Sequence, residues 1–159
     1  MALEIGQVAP DFELRDQHGQ SVSLSSLRGS KAVVLMFYPF AFSGVCTGEL
    51  HEIRDNLTAF ESVDVQLLAV SCDPMYSLRA FADRDQLTFP LLSDFWPHGE
   101  VSLAFGVFNH TRGCSSRSTF IIDKEGLVRW NVHHSLPDAR DMSEYARVLT
   151  ELPDLRPGE

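Results

Sequence analysis

The chain reads as an α/β protein, a mixed β-sheet with helices on both faces and an N-terminal β-hairpin. Three observations predict this. Ala32–Phe37 and Val65–Ser71 are continuous apolar runs of strand length, as expected of strands covered on both faces. An amphipathic helical stretch separates them, which makes a strand–helix–strand unit with a parallel pair. Alternating runs near both ends of the chain, each broken by a turn-rich gap, add antiparallel hairpins.

The elements follow in order. Residues 12–14 and 21–24 alternate around Asp16-Gln17-His18-Gly19-Gln20 and form the first hairpin. Pro39 stops the Ala32–Phe37 strand. The next helix carries Leu50, Ile53, Leu57 and Phe60 on one face. Ser43 is its N-cap candidate, which places Cys46 in the first turn, one turn before Leu50 and beside the inward face. After the Val65–Ser71 strand, Asp73 reads as an N-cap with Pro74 at the first helical position, opening a helix through Leu78, Phe81 and Ala82. Residues 89–94 form a short extended piece and 101–105 a short helix. Residues 118–123 and 127–132 are strands joined by the turn Lys124-Glu125-Gly126. A last helix sets Met142, Tyr145 and Leu149 on one face and ends near Pro153. Hairpin, β-α-β-α, antiparallel hairpin and closing helix together describe an elaborated thioredoxin-like fold.

At 159 residues the chain is expected to form one domain, 1–159, large enough to bury a real core. It shows no repeat, low-complexity segment or linker. A net charge of −9 argues against a nucleic-acid partner and against docking on an anionic membrane. The N-terminus lacks a basic segment followed by an apolar core, and no apolar stretch approaches the ~20 residues that span a bilayer. A cytoplasmic location is the expectation. The three cysteines, Cys46, Cys72 and Cys114, have no zinc-like spacing and suggest free thiols in a reducing compartment. The histidines form no metal motif. His133 and His134 would point to opposite faces of a strand, and His18, His51, His98 and His110 are scattered. His51 is five residues along the helix from Cys46, poor geometry for a protease-type pair. No glycine-rich phosphate loop is present, and thiol chemistry would need no metal, haem or flavin cofactor.

Chemistry concentrates at Cys46. In the first turn of a helix, free backbone N–H groups and the positive end of the dipole stabilise a thiolate. Unlike the Cys-x-x-Cys of thioredoxins, this junction reads Ser43-x-x-Cys46, so dithiol exchange is not its main chemistry. Pro39, Ser43 and Cys46 match the Pro-x-x-x-Thr/Ser-x-x-Cys signature of the peroxiredoxins, and the chain resembles that family from about Gly6 to the last helix. The segments at 89–99 and 105–109 are similar to the actinobacterial AhpE-type, one-cysteine peroxiredoxins in particular. The resemblance implies that Cys46 attacks the peroxide O–O bond, Ser43 supplies a hydroxyl that holds the peroxide, and Pro39 shields the sulfur. It also implies that Arg117 contacts the peroxide oxygens and that Glu49 orients the arginine. The substrates implied are hydrogen peroxide, organic hydroperoxides and peroxynitrite. The implied partners are an external thiol (mycothiol with a glutaredoxin-like protein, or thioredoxin) and a second copy in a homodimer. Serine replaces the commoner threonine at position 43 but keeps the hydroxyl. Cys72 and Cys114 are departures from a one-cysteine scheme. Each is a candidate resolving thiol, Cys114 the better because its loop leads into Arg117. A redox relay to a partner protein and a non-catalytic thioredoxin-like binding module are the alternatives.

Overall fold

The computed structural model describes residues 2–136 and 140–151, with the main chain alone for Met142. Pro153 and the rest of the tail lie outside the described residues. The strands are β1 Glu13–Arg15, β2 Ser21–Ser23, β3 Ala32–Phe37, β4 Val65–Ser71, β5 Leu91–Ser93, β6 Phe108–Asn109, β7 Cys114–Ser115, β8 Arg117–Ile122 and β9 Val128–His134. The helices are α1 Gly44–Asp55, α2 Met75–Asp85, α3 Glu100–Ala104 and α4 Met142–Glu151.

The main sheet runs β2-β1-β5-β4-β3-β8-β9. The expected parallel pair is present, Ala32 opposite Val65 through Phe37 opposite Val70, and β4 continues parallel to β5. The other neighbours are antiparallel, including the first hairpin and β8 with β9. Because β3 is central and covered on both sides, every one of its residues is buried. Its side chains alternate between two cores. Ala32, Val34 and Met36 pack against Leu50 and Ile53 of α1, Leu78 and Phe81 of α2, and Tyr145 and Val148 of α4. Val33, Leu35 and Phe37 pack with Phe12, Val101, Phe105 and Phe120. On that second face Phe105 lies 5.4 Å from both Phe37 and Phe120, centroid to centroid. Helices therefore cover both faces unevenly: α1, α2 and α4 on one, the short α3 with the N-terminal segment on the other.

Four local expectations are corrected. The helix over Cys46 ends at Asp55, and Leu57–Ala59 continues as a 3-10 turn. Leu57 and Phe60 still pack with Leu50 and Ile53, so the face survives the break. Pro74, not Asp73, is the N-cap residue of α2. Arg117 opens β8 rather than preceding it. Cys114 is not in a loop but pairs with Asn109 in a two-stranded ladder and is fully buried.

Candidate active site

The strand-to-helix turn after β3 builds the site. Tyr38 and Pro39 are buried, and the chain then rises to Phe42, which has φ 69°. That is left-handed backbone, costly for a phenylalanine by about 1–2 kcal/mol. Contacts to α2 hold it there. The Phe42 ring lies 5.0 Å from Phe81, and the Arg84 guanidinium sits 4.8 Å over it. One residue earlier, the Ala41 N–H donates to Asp73 Oδ2 at 2.8 Å. The carboxylate expected to cap α2 instead ties the Cys46 turn to the end of β4.

Ser43 takes the N-cap position of α1 with extended backbone, but its side chain makes no cap. Its Oγ donates to Phe40 O at 2.9 Å. The Gly44, Val45 and Cys46 amides of the first turn have no carbonyl one turn back to receive them. With Ser43 turned away, these donors face an incoming anion or oxygen. The hydroxyl's lone pairs are likewise free to accept.

Cys46 is the third residue of α1 and has no exposed surface. Arg117 reaches it from β8, Nη2 donating to Sγ at 3.5 Å. The guanidinium is 2 % exposed and fixed on its other sides. Nη1 donates to Glu49 Oε1, and Nε and Nη2 donate to Leu136 O at 3.0 and 2.7 Å. One N–H of Nη1 is uncommitted among the described residues. Glu49, one turn after Cys46 on the helix, is buried and shared between two arginines. Its Oε2 accepts the Arg140 main-chain N–H at 2.7 Å and lies 3.2 Å from Arg140 Nε. Arg140 also donates through Nη1 to Thr119 Oγ1 at 2.9 Å and through Nη2 to Phe37 O. Burial pulls the Arg140 pKa down, opposed by the Glu49 charge. A cleft of about 420 Å³ opens here, walled by Pro39, Phe40, Ser43, Val45, Arg117 and Leu136, with Arg112 at its rim.

The structure thus brings together all five residues expected at the reaction centre: Pro39, Ser43, Cys46, Glu49 and Arg117. It adds Arg140, Asp73 and Arg112. Arg140 and Arg112 give no local signal, and Asp73 had one that fitted helix capping equally well. Cys72 and Cys114 are both buried free thiols. Cys72 Sγ lies 3.5 Å from Ser115 Oγ, and burial raises its pKa. Burial, with the neighbouring Cys72, pushes Cys114 up to about 11. His51 turns away from Cys46, its Nε2 lying 2.8 Å from Asp85 Oδ1.

Comparison with known proteins shows the family and the fold. Residues 5–131 match the model of the AhpC/TSA family. The chain is 45 % identical over 150 residues to alkyl hydroperoxide reductase E of Mycobacterium tuberculosis, covering 94 % of this chain and 98 % of the relative. Among solved structures it superposes on peroxidoxin BcpB of Mycobacterium tuberculosis with a TM-score of 0.83 at 32 % identity, covering 94 % of this chain and 98 % of the other. It also superposes on AhpC of Enterococcus faecalis with a TM-score of 0.86 at 28 % identity, covering 95 % and 92 %. The family match over most of the chain and the 45 % identity to alkyl hydroperoxide reductase E together make the chain a member of the AhpC/TSA family, a peroxiredoxin and thus a thiol-dependent peroxidase.

Proposed function

We propose that Cys46 is the peroxidatic thiolate and that the Ser43, Glu49 and Arg117 constellation is built for one displacement. The observation that carries this is the Arg117 N–H aimed at Cys46 Sγ from a guanidinium locked by Glu49 and Leu136. The thiolate attacks the terminal oxygen of ROOH along the O–O axis. An S–O bond forms, the O–O bond breaks, and sulfur is oxidised to Cys46–S–OH while the peroxide is reduced to RO⁻. Arg117 stabilises the charge growing on the leaving oxygen, and a solvent proton completes ROH. Ser43 Oγ and the first-turn amides hold the peroxide in line. Pro39 shields the sulfur side of the cleft. Hydrogen peroxide, organic hydroperoxides and peroxynitrite all offer the required bond.

An external thiol is the proposed reductant: mycothiol with a glutaredoxin-like protein, or thioredoxin. The burial of Cys72 and Cys114 supports this over internal resolution, because either thiol would need local opening to reach the sulfenic acid. A homodimer is proposed through the aromatic loop at Phe95 and Trp96, which are 44 % and 81 % exposed. No helix among the described residues is long and apolar enough to cross a membrane, and the proposed location is the cytoplasm.

Cysteine variants test the proposal. Cys46→Ser abolishes peroxide consumption. A Cys72→Ser/Cys114→Ser double variant still oxidises once per chain and still turns over with an external thiol. Turnover lost only in the double variant would instead make one of these cysteines the resolving thiol.

A further inference from the structure

The cleft holds one charge that the displacement does not use. Arg112 lines it beside Arg117, and its guanidinium makes no hydrogen bond or ion pair among the described residues. Its main chain, by contrast, is fixed. Arg112 N donates to Asn109 Oδ1 at 3.0 Å and Thr111 N to the same oxygen at 3.1 Å. Gly113 N donates to Asn109 O at 2.8 Å, and His98 Nε2 lies 2.7 Å from Gly113 O. A pinned turn therefore presents a long cationic side chain at the mouth of the cleft.

The surroundings select what that cation can meet. Among the described residues lining the cleft, none carries a carboxylate. Glu49 lies beneath it, taken up by Arg117 and Arg140. On a chain of net charge −9, two arginines in one cleft are a local reversal of sign that draws anions in. Between rim and reaction centre the walls are apolar: Pro39, Phe40, Val45 and Leu136. A hydrocarbon fits such walls, with an oxidisable end at one pole and a negative one at the other.

Resting on the peroxidase reading above, we propose that Arg112 is a specificity residue. It binds the carboxylate of an amphiphilic organic hydroperoxide whose O–O bond lies at Cys46. Hydroperoxides of aliphatic acids are preferred over their neutral esters, and hydrogen peroxide reacts without this contact.

The test compares a medium-chain fatty-acid hydroperoxide, below its micelle concentration, with its methyl ester. Second-order rates of Cys46 oxidation are read by rapid quench and intact mass on the full chain. Each is normalised to the hydrogen peroxide rate of the same variant. The wild type prefers the acid by about fivefold, as suits an anchored but exposed ion pair, and the preference shrinks with added salt. Arg112→Gln brings the acid-to-ester ratio to about one, and Arg112→Lys restores part of it, as its remaining point charge dictates. Equal wild-type rates for acid and ester overturn the proposal, as does an unchanged ratio in Arg112→Gln. A Cys46 that hydrogen peroxide does not oxidise overturns the peroxidase reading along with it.

Discussion

The site is governed by how each polar group of one small cluster is satisfied. Ser43 gives its proton to Phe40 O and keeps its lone pairs. Ser43→Thr therefore retains the rate of Cys46 oxidation, and Ser43→Ala lowers it by about tenfold, the worth of one hydrogen bond to substrate. Stopped-flow oxidation of the two variants reads the difference. Glu49 is the sole carboxylate bonded to the buried Arg117 and Arg140 among the described residues. Glu49→Gln leaves two buried guanidinium charges without their counter-ion, and chemical denaturation should show a loss of about 3 kcal/mol. Its oxidation rate also falls, because Arg117 is no longer held toward the sulfur. Cys46 was legible as a thiol in the first turn of a helix after a buried strand, while the roles of Pro39, Ser43 and Glu49 came from the motif shared with the family. Arg117 needed the family resemblance. Arg140 was not legible at all: it meets Glu49 across 91 positions of sequence, and no local pattern encodes that approach.

At the scale of elements, the Cys46 turn depends on contacts from the neighbouring strand and helix. Asp73, at the end of β4, accepts the Ala41 N–H, while Phe81 and Arg84 of α2 hold the left-handed Phe42. Removing the first anchor frees the turn without touching the sulfur. Asp73→Ala is expected to slow Cys46 oxidation severalfold while circular dichroism shows the fold retained. An unaltered rate would mean that Phe42 packing alone fixes the turn. Long buried strands were legible because both faces of β3 and β4 are covered, which writes an unbroken apolar run into the sequence. β6 and β7 were missed because two residues cannot display a period. Asp73 was misread because Asp-Pro before a helix has the same form whether the carboxylate caps that helix or bonds elsewhere.

For the whole molecule, the buried second and third thiols tie stability to pH. The folded state holds the Cys114 proton up to about 11, from an ordinary 9.0, because burial disfavours the thiolate. The unfolded chain ionises first. Stability is thus intact below pH 9 and falls as pH rises toward about 11, where the folded thiol also ionises. Cys114→Ala should flatten that alkaline slope in urea-denaturation midpoints. A slope identical to the wild type would place the alkaline loss elsewhere. The same burial bears on recycling, since a thiol that is protonated and enclosed is a poor attacker of a sulfenic acid.

The most direct measurement is the intact mass of fully reduced protein after one equivalent of hydrogen peroxide, with and without a sulfenic-acid trap. The expected result is a single trap adduct per chain that disappears in Cys46→Ser. An unchanged mass in both samples would contradict a peroxidatic Cys46. Loss of two hydrogens with no adduct would contradict recycling by an external thiol alone and assign resolution to Cys72 or Cys114.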